Sequence, residues 1–220
     1  MAQIRDSRVQ GTHTLARALS QMSQPPKVFV CASAIGYYGD RDDEVLEEHN
    51  RQGSGFLAEV CREWEAAADP ARAKSIRVVH LRIGIVLSPK GGALKLMLPA
   101  FRLGIGGRLG SGEQFMSWIA LDDLVGAFLH ALTTDRLQGP VNAVAPNPAT
   151  NADFTKTLGG LLSRPTIFPV PAPVLRLAFG KMADEMLLAS ARVKPSRLTA
   201  AGYTFKYPEL EGALRHLLGG

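Results

Sequence analysis

The sequence predicts an α/β fold in which a doubly wound parallel sheet carries a small, mostly helical C-terminal lobe. Two short apolar runs, in residues 27 to 31 and 76 to 88, are rich in β-branched residues and are typical of buried parallel strands. Between them, residues 55 to 68 place large apolar side chains four positions apart, as an amphipathic helix does. Strand, helix and strand in this order predict a βαβ unit with a right-handed crossover.

The composition predicts one globular unit with room for a smaller lobe. The chain has 220 residues, of which 46% are hydrophobic, and this is enough to build a core. Its net charge of +5 comes from scattered basic residues, so a solvated surface is favoured and no nucleic-acid partner is expected. No apolar run approaches the ~20 residues of a membrane helix, and the first ten residues are too polar for a signal peptide. We therefore expect no membrane partner. Two cysteines without disulfide or metal-ligand spacing suit a reducing compartment and predict a cytoplasmic protein with no metal.

The first predicted strand ends in a stretch that predicts a functional site. Its apolar start gives way to the small residues of CASA, which are followed by GYYG. Ligands of doubly wound sheets lie beyond the carboxyl ends of the strands. Ser33, Tyr37 and Tyr38 are therefore the first candidates for catalysis, and we expect them to line a crevice.

The other elements follow from periodicity and turn signals. Residues 2 to 22 have a loosely helical spacing, and residues 40 to 54 form a charged loop whose acidity indicates solvation rather than metal binding. A short helix is predicted at residues 94 to 102. The glycine-rich residues 104 to 112 favour a flexible loop over a phosphate-binding loop, because they follow a helix and contain no Gly-Lys-Ser/Thr.

The second half of the chain alternates predicted helices with short strands. Asp122 and Asp123 are expected to cap a helix that runs to residue 132, and Thr150 is expected to cap another. A strand is predicted at residues 140 to 144 and a last helix at residues 209 to 218. From Pro165 the chain is apolar and punctuated by prolines, and packing against the main body is favoured over a lid or partner surface.

In sequence order, CASAIGYYGD, GFLAEVCREWE, LRIGIVLS, LPAFRLGIGG and SWIALDDLVGAFLHAL resemble segments of the extended short-chain dehydrogenase/reductase superfamily. Within it they look most like the sugar nucleotide epimerase-like proteins, also described as cell-division-inhibitor-like, and the resemblance covers essentially the whole chain. It implies that residues 1–145 are the C-terminal half of a Rossmann-like NAD(P)-binding domain, with substrate-side elements inserted at about residues 89–120. Residues 146–220 would form a C-terminal substrate or cap lobe.

The same resemblance implies that the Rossmann-like sheet is incomplete. Family members begin with a strand, a GxxGxxG turn and a helix, and this sequence contains no such segment. The strand at residues 27 to 31 would normally pair with a strand of that half, so a hydrophobic sheet edge is left open. We expect the chain to form a homodimer or aggregate through this edge, or to recruit another segment to it.

The catalytic residues of the superfamily are only partly present. There, a Ser orients the substrate oxygen, a Tyr is the acid/base, and a Lys four positions later supports the Tyr. Ser33 matches the Ser, whereas Phe56 and Val60 occupy the Tyr and Lys positions and cannot transfer a proton. Either Tyr37 or Tyr38 serves as the acid, or the chain does not perform the usual reaction.

The resemblance also implies an NADP(H) cofactor and assigns residues to both sides of it. The cofactor-side residues are Cys31, Ala32, Gly84, Ile85 and Val86. The substrate-side residues are Leu98, Phe101 and Trp118. For Phe101 and Trp118, plain core packing is an equally good interpretation.

Two functions therefore stay open. The first is an NAD(P)-dependent oxidoreductase or epimerase-like enzyme whose small-molecule substrate the sequence does not name, with a sugar-nucleotide-like molecule as the suggested class. The second is a non-catalytic binding or regulatory protein that keeps the fold. The resemblance favours the first, and Phe56 and Val60 favour the second.

Overall fold

The computed structural model describes residues 2–219 and confirms an α/β architecture. The helices are α1 (Ala2–Gln21), α2 (Phe56–Ala66), α3 (Asp69–Ala73), α4 (Gly92–Arg102), α5 (Leu121–Thr133), α6 (Asn151–Leu161), α7 (Ala172–Phe179), α8 (Lys181–Ala183), α9 (Ser196–Ala200) and α10 (Leu210–Leu217). The strands are β1 (Val28–Ala34), β2 (Val45–Leu46), β3 (Arg77–Ile83), β4 (Ile85–Leu87), β5 (Phe115–Met116), β6 (Trp118–Ala120), β7 (Gly139–Ala143), β8 (Ala149–Thr150) and β9 (Arg192–Val193). A 3₁₀ turn covers Ile35–Tyr38, and a π-helical segment covers Asp184–Leu188.

The central sheet is parallel and has the strand order β1-β3-β7. Val28 of β1 lies opposite Arg77 of β3, and the register continues to Ala34 opposite Ile83. Because α2 lies between β1 and β3 in the chain, the predicted βαβ unit is confirmed as a parallel pair with a helical connection. The side chains of β1 alternate between two cores, since successive residues of a strand point to opposite faces.

β1 is an edge strand within the part of the chain that the structure describes. Its neighbour is β3, and its other side pairs with no described strand. Helix α5 packs over this part of the sheet and exposes an apolar stripe, which we define as Leu121, Val125, Leu129 and Leu132. The sheet edge predicted to be open is therefore open in the described residues, and it lies beside exposed apolar surface.

The apolar stripe of α5 faces the β1 side of the sheet. Tyr203 packs against the opposite flank of α5, where it contacts Gly126 and His130. The segment that carries Tyr203 follows α9, and α9 packs beside β7 at the far end of the sheet. On a 3.6-residue helix, the stripe and the Tyr203 contacts lie on opposite sides of the solvent direction, so the stripe is on the flank of α5 away from Tyr203.

The prediction of a single strand at residues 76 to 88 is wrong, because the chain forms two strands there, β3 and β4, which belong to different sheets. The break is at Gly84, where a Cβ atom would lie 2.4 Å from the Ser117 carbonyl oxygen and 2.7 Å from Val144 Cγ1. Only glycine allows so close an approach, and β4 then pairs with β6 instead. A run of β-branched residues predicts strand conformation but does not say which sheet each part joins.

The predicted capping of α5 by its aspartates is also not found. The N-cap of α5 is Ala120, with no side-chain cap, and the carboxylate of Asp123 is fully buried. It accepts hydrogen bonds from the backbone N–H groups of Lys206 at 2.7 Å and Tyr207 at 2.9 Å. Asp123 therefore holds the segment before α10 against the first turn of α5. Thr150 does cap α6 as predicted, since its side chain accepts from Asp153 N.

The C-terminal third is fastened to the acidic loop at residues 40 to 54. Strand β2 within that loop pairs with β9, and Glu48 accepts from the backbone N–H groups of Asn142 and Arg197. The loop is thus partly ordered by long-range contacts that its charge does not predict. No described helix combines the length and apolarity that crossing a bilayer requires.

Candidate functional site

The carboxyl ends of the three central strands bring three polar residues together. Each is the last residue but one of its strand, Ser33 in β1, Arg82 in β3 and Asn142 in β7, and all three are buried. The 3₁₀ turn after β1 adds Tyr38, which is also fully buried. This is the position at which parallel sheets hold their ligands.

These residues form one hydrogen-bonded network around a buried ion pair. Arg82 donates from Nε to Glu65 Oε1 at 2.8 Å and from Nη2 to Glu65 Oε2 at 3.0 Å. Ser33 Oγ donates to the same carboxylate at 2.8 Å. Arg82 also donates to the Tyr38 hydroxyl, which in turn donates to Asn142 Oδ1 at 2.7 Å. A charge pair this well satisfied is rigid, because each member fixes the orientation of the next.

Ser33 and Tyr38 therefore lie inside the protein, whereas the sequence predicted that they would line an open crevice. Burial also raises the pKa of Tyr38 above the ordinary tyrosine value, so its hydroxyl stays protonated at neutral pH. The difference arises because α2 brings Glu65 onto the end of β1 and covers the strand. A sequence pattern can place a hydroxyl at a strand end, but it does not show what packs over it.

Tyr37 is the predicted catalytic residue that keeps a free hydroxyl. Its ring lies against the Arg82 guanidinium, with Cζ 3.5 Å from the ring centroid. Its side chain is half-buried, and its hydroxyl makes no hydrogen bond among residues 2–219. Of the three predicted catalytic residues, Tyr37 alone combines accessibility with an uncommitted donor.

The predicted cofactor-side residues are not equivalent in the structure. Ala32, Ile85 and Val86 are half-buried and keep accessible surface near the strand ends. The Cys31 side chain is buried beside His80, with Sγ 3.1 Å from Nδ1. Gly84 is packed tightly against Ser117 and Val144.

The contact of Cys31 with His80 belongs to a buried group that the sequence analysis did not find. Arg72 donates from Nη2 to His80 Nε2 at 3.1 Å, so the neutral ring carries its proton on Nδ1 and donates to Cys31 Sγ. Burial raises the pKa of the Cys31 thiol to about 12, which makes it a poor nucleophile. Cys31 and His80 are 49 residues apart in the sequence, and this long-range contact leaves no local signal.

The predicted substrate-side residues lie in a hydrophobic core. Leu98 and Phe101 of α4 and Trp118 of β6 are buried in one cluster with residues of α6 and α10. The Trp118 indole N–H donates to the Asn147 carbonyl oxygen at 3.1 Å. The positions of Phe101 and Trp118 match the core-packing interpretation, and Leu98, which was predicted to face the substrate, is buried in the same core.

The first turn of α2 is where the superfamily resemblance places a catalytic tyrosine. Phe56 begins the helix, and Val60 is buried one turn later. The backbone N–H groups of Phe56 and Leu57 donate to the carboxylate of Glu185, at 3.1 and 2.8 Å. A carboxylate at a helix N-terminus is favourable, so Glu185 anchors the π-helical segment over this turn.

Arg192 is a second residue that the sequence analysis missed. It lies on β9, next to Val193, which packs in one buried cluster with Tyr38 and Leu46. Its Cζ lies 4.8 Å from the Phe115 ring centroid, and its buried Nε has no hydrogen-bond partner. Within residues 2–219, no group of three or more His, Cys, Asp or Glu side chains is arranged to hold a metal ion.

Comparisons with known proteins relate almost the entire chain to one group. Residues 170–217 match the family described as Domain of unknown function (DUF1731). An epimerase family protein of Mycobacterium bovis is 45% identical over 211 residues, which are 96% of this chain and 69% of that protein. An epimerase family protein of Bos taurus is 41% identical over 218 residues, 98% of this chain and 74% of that protein.

Solved structures give the same relationship. The crystal structure of human epimerase family protein SDR39U1 (isoform 2) with NADPH is 39% identical and has a TM-score of 0.91, covering 97% of this chain and 72% of the human chain. The nucleoside-diphosphate sugar epimerase from Corynebacterium glutamicum is 40% identical with a TM-score of 0.82. The match covers 99% of this chain and 43% of the Corynebacterium chain.

Proposed function

The chain belongs to the epimerase family of the extended short-chain dehydrogenase/reductase superfamily, and from this we propose that it is an NAD(P)-dependent epimerase-like oxidoreductase. NADP(H) is the proposed cofactor, and a sugar-nucleotide-like molecule is the proposed substrate class. The observation that carries the proposal is the human relative with NADPH, at 39% identity and a TM-score of 0.91. We assign the cofactor to residues 1–145 and the substrate cap to residues 146–220.

The half-buried residues at the strand ends are the proposed cofactor contacts. Ala32 presents a small side chain beside the end of β1, and Ile85 and Val86 offer apolar surface from β4. A nicotinamide supplies hydride transfer at its C4 atom when it is bound. Cys31 and Gly84 would contribute shape to this surface, because the thiol is buried against His80 and the half-buried glycine has no room for a side chain.

Tyr37 is the proposed proton donor to the substrate. Its hydroxyl is uncommitted, and its ring is held against the guanidinium of Arg82, which fixes the orientation of the side chain. Ser33 is a proposed substrate-orienting residue, and Tyr38 remains a candidate. To contact a substrate, either hydroxyl would have to exchange its present partner, Glu65 for Ser33 or Asn142 for Tyr38.

A non-catalytic binding protein is the second candidate function. It is favoured by Phe56 and Val60, which cannot transfer a proton, and by the commitment of Ser33 and Tyr38 to internal hydrogen bonds. Hydride transfer from NADPH to 4-keto nucleotide sugars separates the two functions. The enzyme should consume NADPH, and Tyr37→Phe should abolish this while keeping NADPH affinity.

We expect NADPH to bind saturably, with a dissociation constant in the micromolar range, measured by fluorescence titration. Ala32→Leu should weaken binding about tenfold or more, because the added side chain fills the proposed nicotinamide surface, a loss of at least ~1.4 kcal/mol. Ala66→Leu, at an exposed position of α2, is the matched control and should bind as the wild type does. No binding of NADPH to the wild type at high micromolar concentration would contradict the assignment of the cofactor.

We also propose that a second copy of the chain covers the open edge of β1. The proposal is supported by an uncharged strand, VFVCASA, whose outer side pairs with no described strand, and by the exposed apolar stripe of α5, the helix that packs on this strand. Such an edge is a template for pairing with another chain. A two-fold axis would pair β1 with β1 of the second copy and place the apolar stripes of the two copies against each other. The same surface of each chain would then form both halves of the interface.

Size-exclusion chromatography with light scattering should show a dimer at micromolar concentration. Replacing Val125 and Leu129 together by lysine should give a monomer, because four charges would face one another across the two-fold axis. Leu177→Lys is the control, since Leu177 is 90% exposed on α7 and lies outside the stripe. A monomeric wild type, or a double variant that stays dimeric, would count against this interface.

A further inference from the structure

Arg192 differs in its hydrogen bonding from the other arginines that are buried or half-buried. In the described residues, Arg41, Arg77, Arg82 and Arg192 are the buried or half-buried ones. Arg41 and Arg82 donate to carboxylates, and Arg77 donates to backbone carbonyl oxygens. The guanidinium of Arg192 donates to no acceptor among residues 2–219.

The contacts that Arg192 does make do not replace a hydrogen-bond acceptor. Its guanidinium lies over the Phe115 ring at 4.8 Å, and its Nε is buried without a partner. Stacking on an aromatic face is weaker than the hydrogen bonds that a charged donor loses on burial. A buried, unpaired charged donor in a native fold therefore calls for an acceptor that is not part of the chain.

The backbone around Arg192 is firmly held, so the side chain is presented from a fixed strand. Ser117 Oγ accepts from Val193 N at 2.8 Å and donates to the Ala191 carbonyl oxygen at 2.7 Å. Phe115 N donates to Ser190 Oγ at 3.0 Å, which holds the aromatic ring beside the same strand. A cation fixed in this way loses little conformational freedom when it binds an anion.

Arg192 is also adjacent to the strand-end site. The residues on either side of it, Ala191 and Val193, pack in the cluster that contains Tyr37 and Tyr38. Just before β9, Ser190 is tied to the loop that follows the 3₁₀ turn, because its backbone N–H donates to Asp40 Oδ1 at 2.9 Å and its carbonyl oxygen accepts from Arg41 N at 2.9 Å. Because successive residues of a strand point to opposite faces, Arg192 presents its guanidinium on the face of β9 that carries Phe115, beside this cluster and not within it.

We propose that Arg192 is the anion-binding residue of the substrate site. It would receive a phosphate or carboxylate group of the ligand on the fork of its guanidinium, with Phe115 as the platform beneath. This inference rests on the proposed function, because it assigns the anionic group that Arg192 binds to the substrate and not to NADP(H). It implies that the substrate carries negative charge at the end remote from the reacting carbon.

The test uses the full chain with inorganic pyrophosphate and malonate as probes for the two anion types. In ¹⁵N-labelled protein, the Nε–H resonance of Arg192 should shift on titration with at least one of the two. Arg192→Met keeps the apolar stem on Phe115 and should weaken that binding at least tenfold, while Arg192→Lys should retain part of it. Arg176→Met is the matched control, because Arg176 is exposed and paired with Asp184 in the same lobe.

NADPH titration of the same variants distinguishes this inference from the proposed function. Loss of anion binding with unchanged NADPH affinity in Arg192→Met would support a substrate-side role. If no variant binds NADPH but the anion response still depends on Arg192, the anion site stands and the cofactor assignment fails. The inference is overturned if Arg192→Met binds the probe as the wild type does, if neither probe binds the wild type, or if Arg192→Met loses NADPH affinity as well.

Discussion

Replacing Arg82 by methionine should lower the free energy of unfolding by about 3–5 kcal/mol, the largest single effect we expect in this protein. The side chains of Arg82 and Glu65 are only 3% and 14% exposed, and the pair is bidentate. Methionine fills the space but leaves the Glu65 carboxylate buried beside Ser33 without its counter-charge. Urea unfolding followed by circular dichroism measures the loss.

Arg5→Met is the matched control for this prediction. Arg5 pairs with Glu63 at 2.6 Å, a distance as short as that of the buried pair, but its side chain is 53% exposed. An exposed pair is screened by water and contributes about 0–1 kcal/mol. The double variant Arg82→Met with Glu65→Leu should recover part of the loss, because it removes the orphaned charge. Equal losses in Arg82→Met and Arg5→Met would show that the network is not a stabilising element.

The second large effect is a loss of stability in acid that depends on His80. Burial lowers the pKa of His80 from 6.5 to about 4, because the imidazolium would lose its hydration next to Arg72. The unfolded chain binds this proton near pH 6.5, whereas the folded chain resists it down to about pH 4. Stability therefore falls as the pH drops through this window, by roughly 3 kcal/mol for this group.

His80→Gln isolates the contribution, since glutamine can accept from Arg72 and donate to Cys31 but does not titrate. The variant should be less stable than the wild type at pH 7.5, and the difference should shrink or reverse by pH 4.5. Glu65, Arg82 and Asp69 also act on this site, and their effects are common to both proteins. His49→Gln is the control, because the His49 side chain is 79% exposed. A stability difference that does not change with pH would contradict the assignment.

The fold class is predictable from the sequence because its signals are local. The β-branched run before Ser33 and the four-residue spacing of Phe56, Val60 and Trp64 each depend on neighbours along the chain. The split at Gly84 and the true role of Asp123 were mispredicted for the opposite reason. Each depends on an atom from a distant segment, the Ser117 carbonyl in one case and the Lys206 N–H in the other.

The candidate site shows the same difference between what neighbouring residues indicate and what distant residues decide. Residue type and strand position alone single out Ser33, Tyr37 and Tyr38, and their roles in a reaction remain a prediction. The sequence does not show which group each hydroxyl forms a hydrogen bond with. These partners decide which of the three hydroxyls remains without a hydrogen bond. Glu65 comes from α2 and Asn142 from β7, at separations of 32 and 104 residues from Ser33 and Tyr38.

The amino-acid sequence is sufficient to predict an α/β chain with parallel strands and to show a resemblance to epimerase-like dehydrogenases, and it singles out one strand end as a candidate ligand site. These are properties of periodicity, composition and motif order, all carried by adjacent residues. Only the tertiary structure decided that Ser33 and Tyr38 are enclosed around the Arg82–Glu65 pair, that Tyr37 is left uncommitted, and that Arg192 stands unpaired beside them. Burial and hydrogen-bond satisfaction are set by residues brought together from across the chain, and no local pattern encodes them.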